Sequence, residues 1–217
     1  KALHSAGSPE AMTPEELEHQ RRNQEILGRL TAPMAGMEYE ELSIGTMPAA
    51  WTRLKAPHGD RRVILYCHGG GYTSGNLGYS RVLSSKLAHV TGYDVLSFEY
   101  RLAPEYPFPI GFYDCYMAAK AMYTNQFILN TDPDKITLIG DSAGGNLAAA
   151  VSLMARDQGE FLPKRQILIY PAVNNDYSEE SPYLSVRRYG TEYLLTAGKM
   201  RDYINFYASA EEDKKSK

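Results

Sequence analysis

The sequence predicts an α/β domain built on a doubly wound, mostly parallel sheet. Two observations carry that prediction. Residues 62–68, 93–100, 135–140 and 166–171 are short apolar runs that read as buried strands, and an amphipathic helical stretch separates each from the next. Strand, helix, strand, helix, strand, helix, strand is the order of a doubly wound sheet. The chain of 217 residues, 43% hydrophobic, can bury one sizeable core but not two domains with a linker.

Residues 1–12 are polar and are expected to fray. Thr13-Pro14-Glu15-Glu16 then combines an N-cap, a first-turn proline and a capping-box glutamate, and opens a helix that runs to about Leu30. Its apolar positions, Leu17, Ile26, Leu27 and Leu30, are sparse, which predicts a surface or lid helix. Met34 and Met37 follow as ordinary packing residues, and 40–55 alternates enough for one or two edge strands around Leu42, Ile44, Trp51 and Leu54.

The strand at 62–68 runs straight into Gly69-Gly70-Gly71-Tyr72-Thr73-Ser74-Gly75. A dinucleotide fingerprint starting at Gly69 would need glycine at Ser74, and a P-loop starting at Gly70 would need lysine at Asn76. Two readings stay open, a structural glycine turn and a Cβ-free concave loop whose backbone amides suit an oxyanion. His68, at the strand's end, is expected to be structural, its ring hydrogen-bonded to loop backbone.

A helix at 80–90 stops at Gly92, the strand at 93–100 follows, and a proline-rich loop leads to a helix at 112–125. The strand at 135–140 is followed almost at once by a helix carrying Leu147, Ala150, Val151 and Met154, with Gly159 as its stop. Between them stands Gly140-Asp141-Ser142-Ala143-Gly144-Gly145. Gly-x-Ser-x-Gly can be no more than a small-residue turn, but a strand before it and a helix after it suit a nucleophile. In that position Ser142 is pushed outward, and the Ala143 amide faces a developing negative charge at the helix N-terminus. Past the strand at 166–171, residues 174–190 are polar and tyrosine-rich. Thr196 then caps a last helix with Met200, Tyr203, Ile204 and Tyr207 at helical spacing, and 211–217 is a charged tail.

A formal net charge of -3 gives no basic footprint for nucleic acid. No stretch approaches the roughly 20 apolar residues of a membrane span. Cys67 and Cys115 lack metal-ligand spacing; two unpaired thiols point to a reducing, cytoplasmic setting. Cys67 stands one residue before the His68-Gly69-Gly70-Gly71 stretch, so a thiol reagent that reached it would inhibit.

His68-Gly69-Gly70-Gly71-Tyr72, Tyr100-Arg101-Leu102-Ala103-Pro104-Glu105 and Gly140-Asp141-Ser142-Ala143-Gly144-Gly145 together resemble the hormone-sensitive-lipase-like carboxylesterases of the α/β-hydrolase fold. The match runs from about Val63 to Tyr207. The resemblance implies Ser142 as nucleophile and the amides of Gly70, Gly71 and Ala143 as oxyanion hole, supported by His68, Gly69 and Asp141. It implies a short- to medium-chain ester as substrate, no metal or cofactor, and a possible homodimer. It also implies a cap made of residues 1–40 and part of 174–207, with 41–217 as the N-terminal part of the core. Tyr100–Glu105 would be a structural brace, and Glu99 stands where the family more often has aspartate.

This chemistry needs a base that accepts the serine proton, and a carboxylate to orient the base. In this fold the order is serine, acid, histidine. Of His4, His19, His58, His68 and His89, none follows Ser142. The expectation is that a C-terminal segment carrying an aspartate and a histidine completes the enzyme. Without it the strand at 166–170 would be an open sheet edge. The other reading is a non-catalytic small-molecule-binding member of the same fold, as the plant gibberellin receptors are.

Overall fold

The computed structural model describes residues 11–32, 34–56, 62–125, 131–208, 210 and 213. The expectations for residues 1–10 and most of the tail lie outside these residues, as do His4 and His58. Six strands form one sheet in the order β1-β2-β4-β3-β5-β6. They are β1 (Met37–Ile44), β2 (Met47–Leu54), β3 (Val63–Cys67), β4 (Asp94–Phe98), β5 (Ile136–Asp141) and β6 (Gln166–Ile169). β4, β3, β5 and β6 run parallel, while β1, β2 and β4 pair antiparallel.

The strand period of two divides the core into layers. Leu65 and Cys67 of β3, with Leu96, Phe98 and Leu138, face α3 (Ile110–Tyr123) and α4 (Ala143–Gln158). Ile64 and Tyr66, with Val95 and Ile139, face α2 (Leu77–Thr91) through Ala88, Leu83 and Leu87. Both faces of β3 are therefore buried, which is why it reads as a continuous apolar run rather than an alternating one.

β2 departs from the expected edge position. It lies between β1 and β4, with Ala49 and Ala50 fully buried. Its neighbour β4 is more than 40 residues away, and small alanines that let helix and sheet close on it give no local strand signal. Two helices start earlier than the sequence predicts, α2 at Leu77 and α3 at Ile110. The side chain of Asn76 caps α2, accepting from the Tyr79 amide at 2.8 Å. The short helix α5 (Leu184–Tyr189) has no counterpart in the sequence reading, and α6 (Ala197–Tyr207) follows its Thr196 cap.

The first helix, α1 (Pro14–Leu30), carries its capping box, Thr13 with Glu16, and packs on α2. Gly28 and Gly78 let the two backbones meet: a Cβ on Gly28 would lie 2.8 Å from the Gly78 carbonyl carbon. β6 borders the described sheet, with Gln166 and Ile167 exposed. Among the described residues, no helix is long and apolar enough to cross a membrane.

Candidate active site

In sheet order β3 has β4 on one side and β5 on the other, so the chain reverses its direction of winding between β3 and β5. Such a switch point opens a crevice at the strands' carboxyl ends. Cys67 pairs in register with Gly140, so the loop after β3 and the turn after β5 emerge side by side.

Ser142 occupies that turn in a positive-φ conformation, φ 53° and ψ -120°, immediately before α4. A side chain there is strained, by about 1–3 kcal/mol. Backbone bonds enforce it: the Ser142 amide donates to Ile169 at 2.9 Å, and its carbonyl accepts from Asn146 at 3.1 Å and Ala172 at 3.0 Å. Its side chain makes no capping bond to the helix. The flanking glycines are steric requirements, because a Cβ on Gly140 would strike the Gly144 carbonyl and one on Gly144 the carbonyls of Cys67 and His68. The elbow thus touches the end of β3 directly.

The Asp141 carboxylate joins the two segments. Its Oδ1 accepts from the Gly69 amide at 2.9 Å and from the Tyr66 hydroxyl at 2.6 Å. Burial, followed by the charge of Asp141, pushes the Tyr66 phenol far up, so it stays a donor. Gly69 has no room for a Cβ, which would lie 2.5 Å from Asp141 Oδ2.

Beyond Gly69 the loop turns through positive φ at Gly70 (125°), Gly71 (61°) and Tyr72 (63°). The Gly70 carbonyl accepts from the Thr73 and Ser74 amides at 3.1 and 3.0 Å and closes the turn. Among the described residues, no acceptor faces the backbone amides of Gly70, Gly71 and Ala143. Ala143 is only 1% exposed. First-turn helix amides lack intrahelical partners, and a buried one left without any partner is costly, a cost that a ligand oxygen would remove. The ring of Tyr203 from α6 lies over Gly71, 2.6 Å from where a Cβ would be.

His68 is buried and stacks on Tyr100 with ring centroids 4.3 Å apart. Its Nδ1 lies 2.8 Å from the Gly69 carbonyl, so that nitrogen carries the hydrogen and donates. Burial lowers its pKa and keeps the ring neutral. The Tyr100 hydroxyl donates to the His68 carbonyl at 2.7 Å. His19 is on the exposed surface of α1, and His89 is in the last turn of α2, about 20 Å along that helix from the glycine loop. The structure therefore brings Ser142, Ala143, Asp141, Gly69, Gly70 and Gly71 together, with His68 facing Tyr100 and Gly75.

Sequence reasoning missed Tyr66, and it noted Glu99 only as a departure from the family's usual aspartate, not for its contact. Tyr66 sits in a strand whose two buried faces hide its hydroxyl. Glu99 accepts from the Leu77 amide at 2.8 Å and places a negative charge at the N-terminus of α2. An acid directly after a buried strand was the available signal.

Cys67 and Cys115 are both free and fully buried, and burial pushes the Cys115 thiol up, with Cys67 beside it. Native protein treated with iodoacetamide is expected to gain no adduct by intact mass, and guanidinium-unfolded protein to gain one on each cysteine. Adduct formation on Cys67 at native rates would contradict this burial.

A family model described as alpha/beta hydrolase fold matches residues 64–217. The arylesterase of Saccharolobus solfataricus is 37% identical over 152 residues, 70% of this chain and 48% of that protein. An esterase of Pyrobaculum calidifontis superposes with a TM-score of 0.80 at 35% identity, covering 96% of this chain and 68% of that one. An esterase of the bacterial hormone-sensitive lipase family superposes with a TM-score of 0.78 at 27% identity, covering 97% and 67%. The chain spans about half the length of the curated relatives it matches. The unpartnered amides, the strained serine and these likenesses agree, and the chain belongs to the α/β-hydrolase family, on its hormone-sensitive-lipase-like esterase branch.

Proposed function

We propose that this chain is the nucleophile-bearing part of a serine carboxylester hydrolase acting on short- to medium-chain acyl esters. The observation that carries the reading is the set of three amides, Gly70, Gly71 and Ala143, that make no hydrogen bond among the described residues, beside a serine on a strained turn. Ser142 Oγ attacks the ester carbonyl and gives its proton to a base, and the oxygen that becomes negative takes hydrogen bonds from the three amides. The carbon–alkoxide bond then breaks, the alcohol leaves with that proton, and water releases the acid from Ser142 by the same steps.

The base and its carboxylate are assigned to a segment following Lys217, since neither His19, His68 nor His89 is placed for the role. The half-length match to the relatives supports that assignment. α1 and residues 174–207 are assigned to the cap over the site, which accounts for Tyr203 lying on Gly71, while residues 37–40 belong to β1 of the sheet.

The test is covalent labelling with a fluorescent organophosphonate of a protein that continues past Lys217. One adduct per chain on the peptide containing Ser142, formed together with hydrolysis of p-nitrophenyl acetate, is the expected result. No adduct in folded protein overturns the reading in favour of a non-catalytic binding member of the fold.

A further inference from the structure

Arg21 lies in the middle of a polar helix, α1, where a charged side chain ordinarily meets water. Here its planar fork is spent on two separate segments, the glycine loop and the 100–105 stretch. Nε donates to the Thr73 carbonyl at 2.6 Å, and Nη2 donates to the Ala103 carbonyl at 2.7 Å. Nη1 and Nη2 also engage the two oxygens of Glu105 at 2.6 and 2.8 Å. The segments it joins are already tied together near the site, because the Ala103 amide donates to the Tyr72 carbonyl at 2.9 Å.

The next residue of the loop is held from the same helix. Gln20 and Gln24 donate to Ser74 Oγ at 3.1 and 3.3 Å, and Ser74 Oγ donates to the Gly70 carbonyl at 3.0 Å. Tyr203, whose ring covers Gly71, donates its hydroxyl to Gln20 at 3.2 Å. Thus α1 reaches Gly70 through Ser74 and Gly71 through Tyr203, and Arg21 anchors the loop between those points.

We infer that Arg21 is a positioning residue: it fixes the glycine loop so that the Gly70 and Gly71 amides converge with that of Ala143. The inference rests on the reading of that loop as an oxyanion hole. The loop, with positive φ at Gly70, Gly71, Tyr72 and Gly75, is closed on itself by the Gly70 carbonyl, and contacts from α1 fix where that closed turn sits. An exposed ion pair alone would add little. A guanidinium binding two backbone carbonyls and a carboxylate adds geometry, which an ammonium cannot copy. Lysine at this position keeps the charge opposite Glu105 but cannot satisfy both carbonyls.

The test is amide hydrogen exchange on native wild type, Arg21→Gln, Arg21→Lys and Glu105→Gln, with steady-state kinetics on the same proteins. Arg21→Gln and Arg21→Lys are both expected to speed exchange at residues 70–76 at least about tenfold, leaving β5 and α4 unchanged. Turnover is expected to fall about 10–100-fold with KM within about threefold, as a displaced donor set costs the transition state rather than binding. Glu105→Gln keeps the carbonyl contacts and is expected to stay close to wild type in exchange. Unchanged loop exchange in Arg21→Gln overturns the inference, as does full rescue by lysine or faster exchange across the whole sheet. Exchange needs no turnover, so a protein that never reacts with phosphonate but opens its loop in Arg21→Gln retains the anchor and loses the nucleophile.

Discussion

Ser142→Ala, in a protein that includes the segment past Lys217, is expected to lower ester turnover about 10⁶-fold, the scale at which a triad enzyme loses its nucleophile. Stability should change by no more than about 0.5 kcal/mol. The two halves of this expectation have separate causes. The hydroxyl makes no capping bond, so no hydrogen bond to the helix is lost. The backbone bonds to Ile169, Asn146 and Ala172 do not involve the side chain. Alanine keeps the Cβ and with it the strain of a positive φ. Ser142→Gly should lose the same turnover yet gain about 1 kcal/mol, because only the Cβ makes that conformation unfavourable. Urea unfolding and initial rates on both variants check this. Residual turnover above about 1% in Ser142→Ala would remove Ser142 from the chemistry, and a Ser142→Gly less stable than Ser142→Ala would contradict the strain.

Legibility in the sequence followed how locally each feature is determined. β3, β5 and α4 were readable because apolar runs, a turn and helical spacing lie within a few residues of one another, and because Gly140 answers to a carbonyl four residues on. Thr13 and Thr196 announced helix starts for the same reason, whereas the cap at Asn76 went unread and α2 was placed three residues late. The rest is decided across the chain. β2 is internal because β4 docks on it, and nothing in Met-Pro-Ala-Ala-Trp announces a second partner. Asp141 was readable as part of a motif, but its bonds to Tyr66 and Gly69 span more than 70 residues. Tyr203 meets Gly71 from over 130 residues away, through a helix whose spacing shows only that one face is apolar. Arg21 looks like any solvated charge until Thr73 and Ala103 are placed beside it.

Gly144 shows how fold and site depend on one contact, and Gly144→Ala is expected to cost about 3 kcal/mol or more, at the upper end for overpacking. A Cβ there would fall among the carbonyls of Cys67 and His68, 2.6 Å from the His68 carbonyl carbon. Those atoms are backbone at the end of a central strand paired on both sides, so they cannot turn away as a flexible side chain would. Relief requires α4 to move off β3, which opens the packing of Leu147 and Val151 on Leu65 and Leu138 and displaces the Ala143 amide from the glycine loop. Gly159→Ala is the matched control. Gly159 also ends at a special backbone, φ 66° at the C-terminus of α4, but nothing lies within 4 Å of its Cβ position, so only about 1 kcal/mol is expected. For a chain of this size the difference of about 2 kcal/mol corresponds to a Tm gap of about 4–8 °C. Gly144→Ala should also react with phosphonate far more slowly than Gly159→Ala at a temperature where both are folded. Equal stability of the two variants would mean that elbow and strand end do not touch, and the oxyanion geometry built on that contact would fall with it.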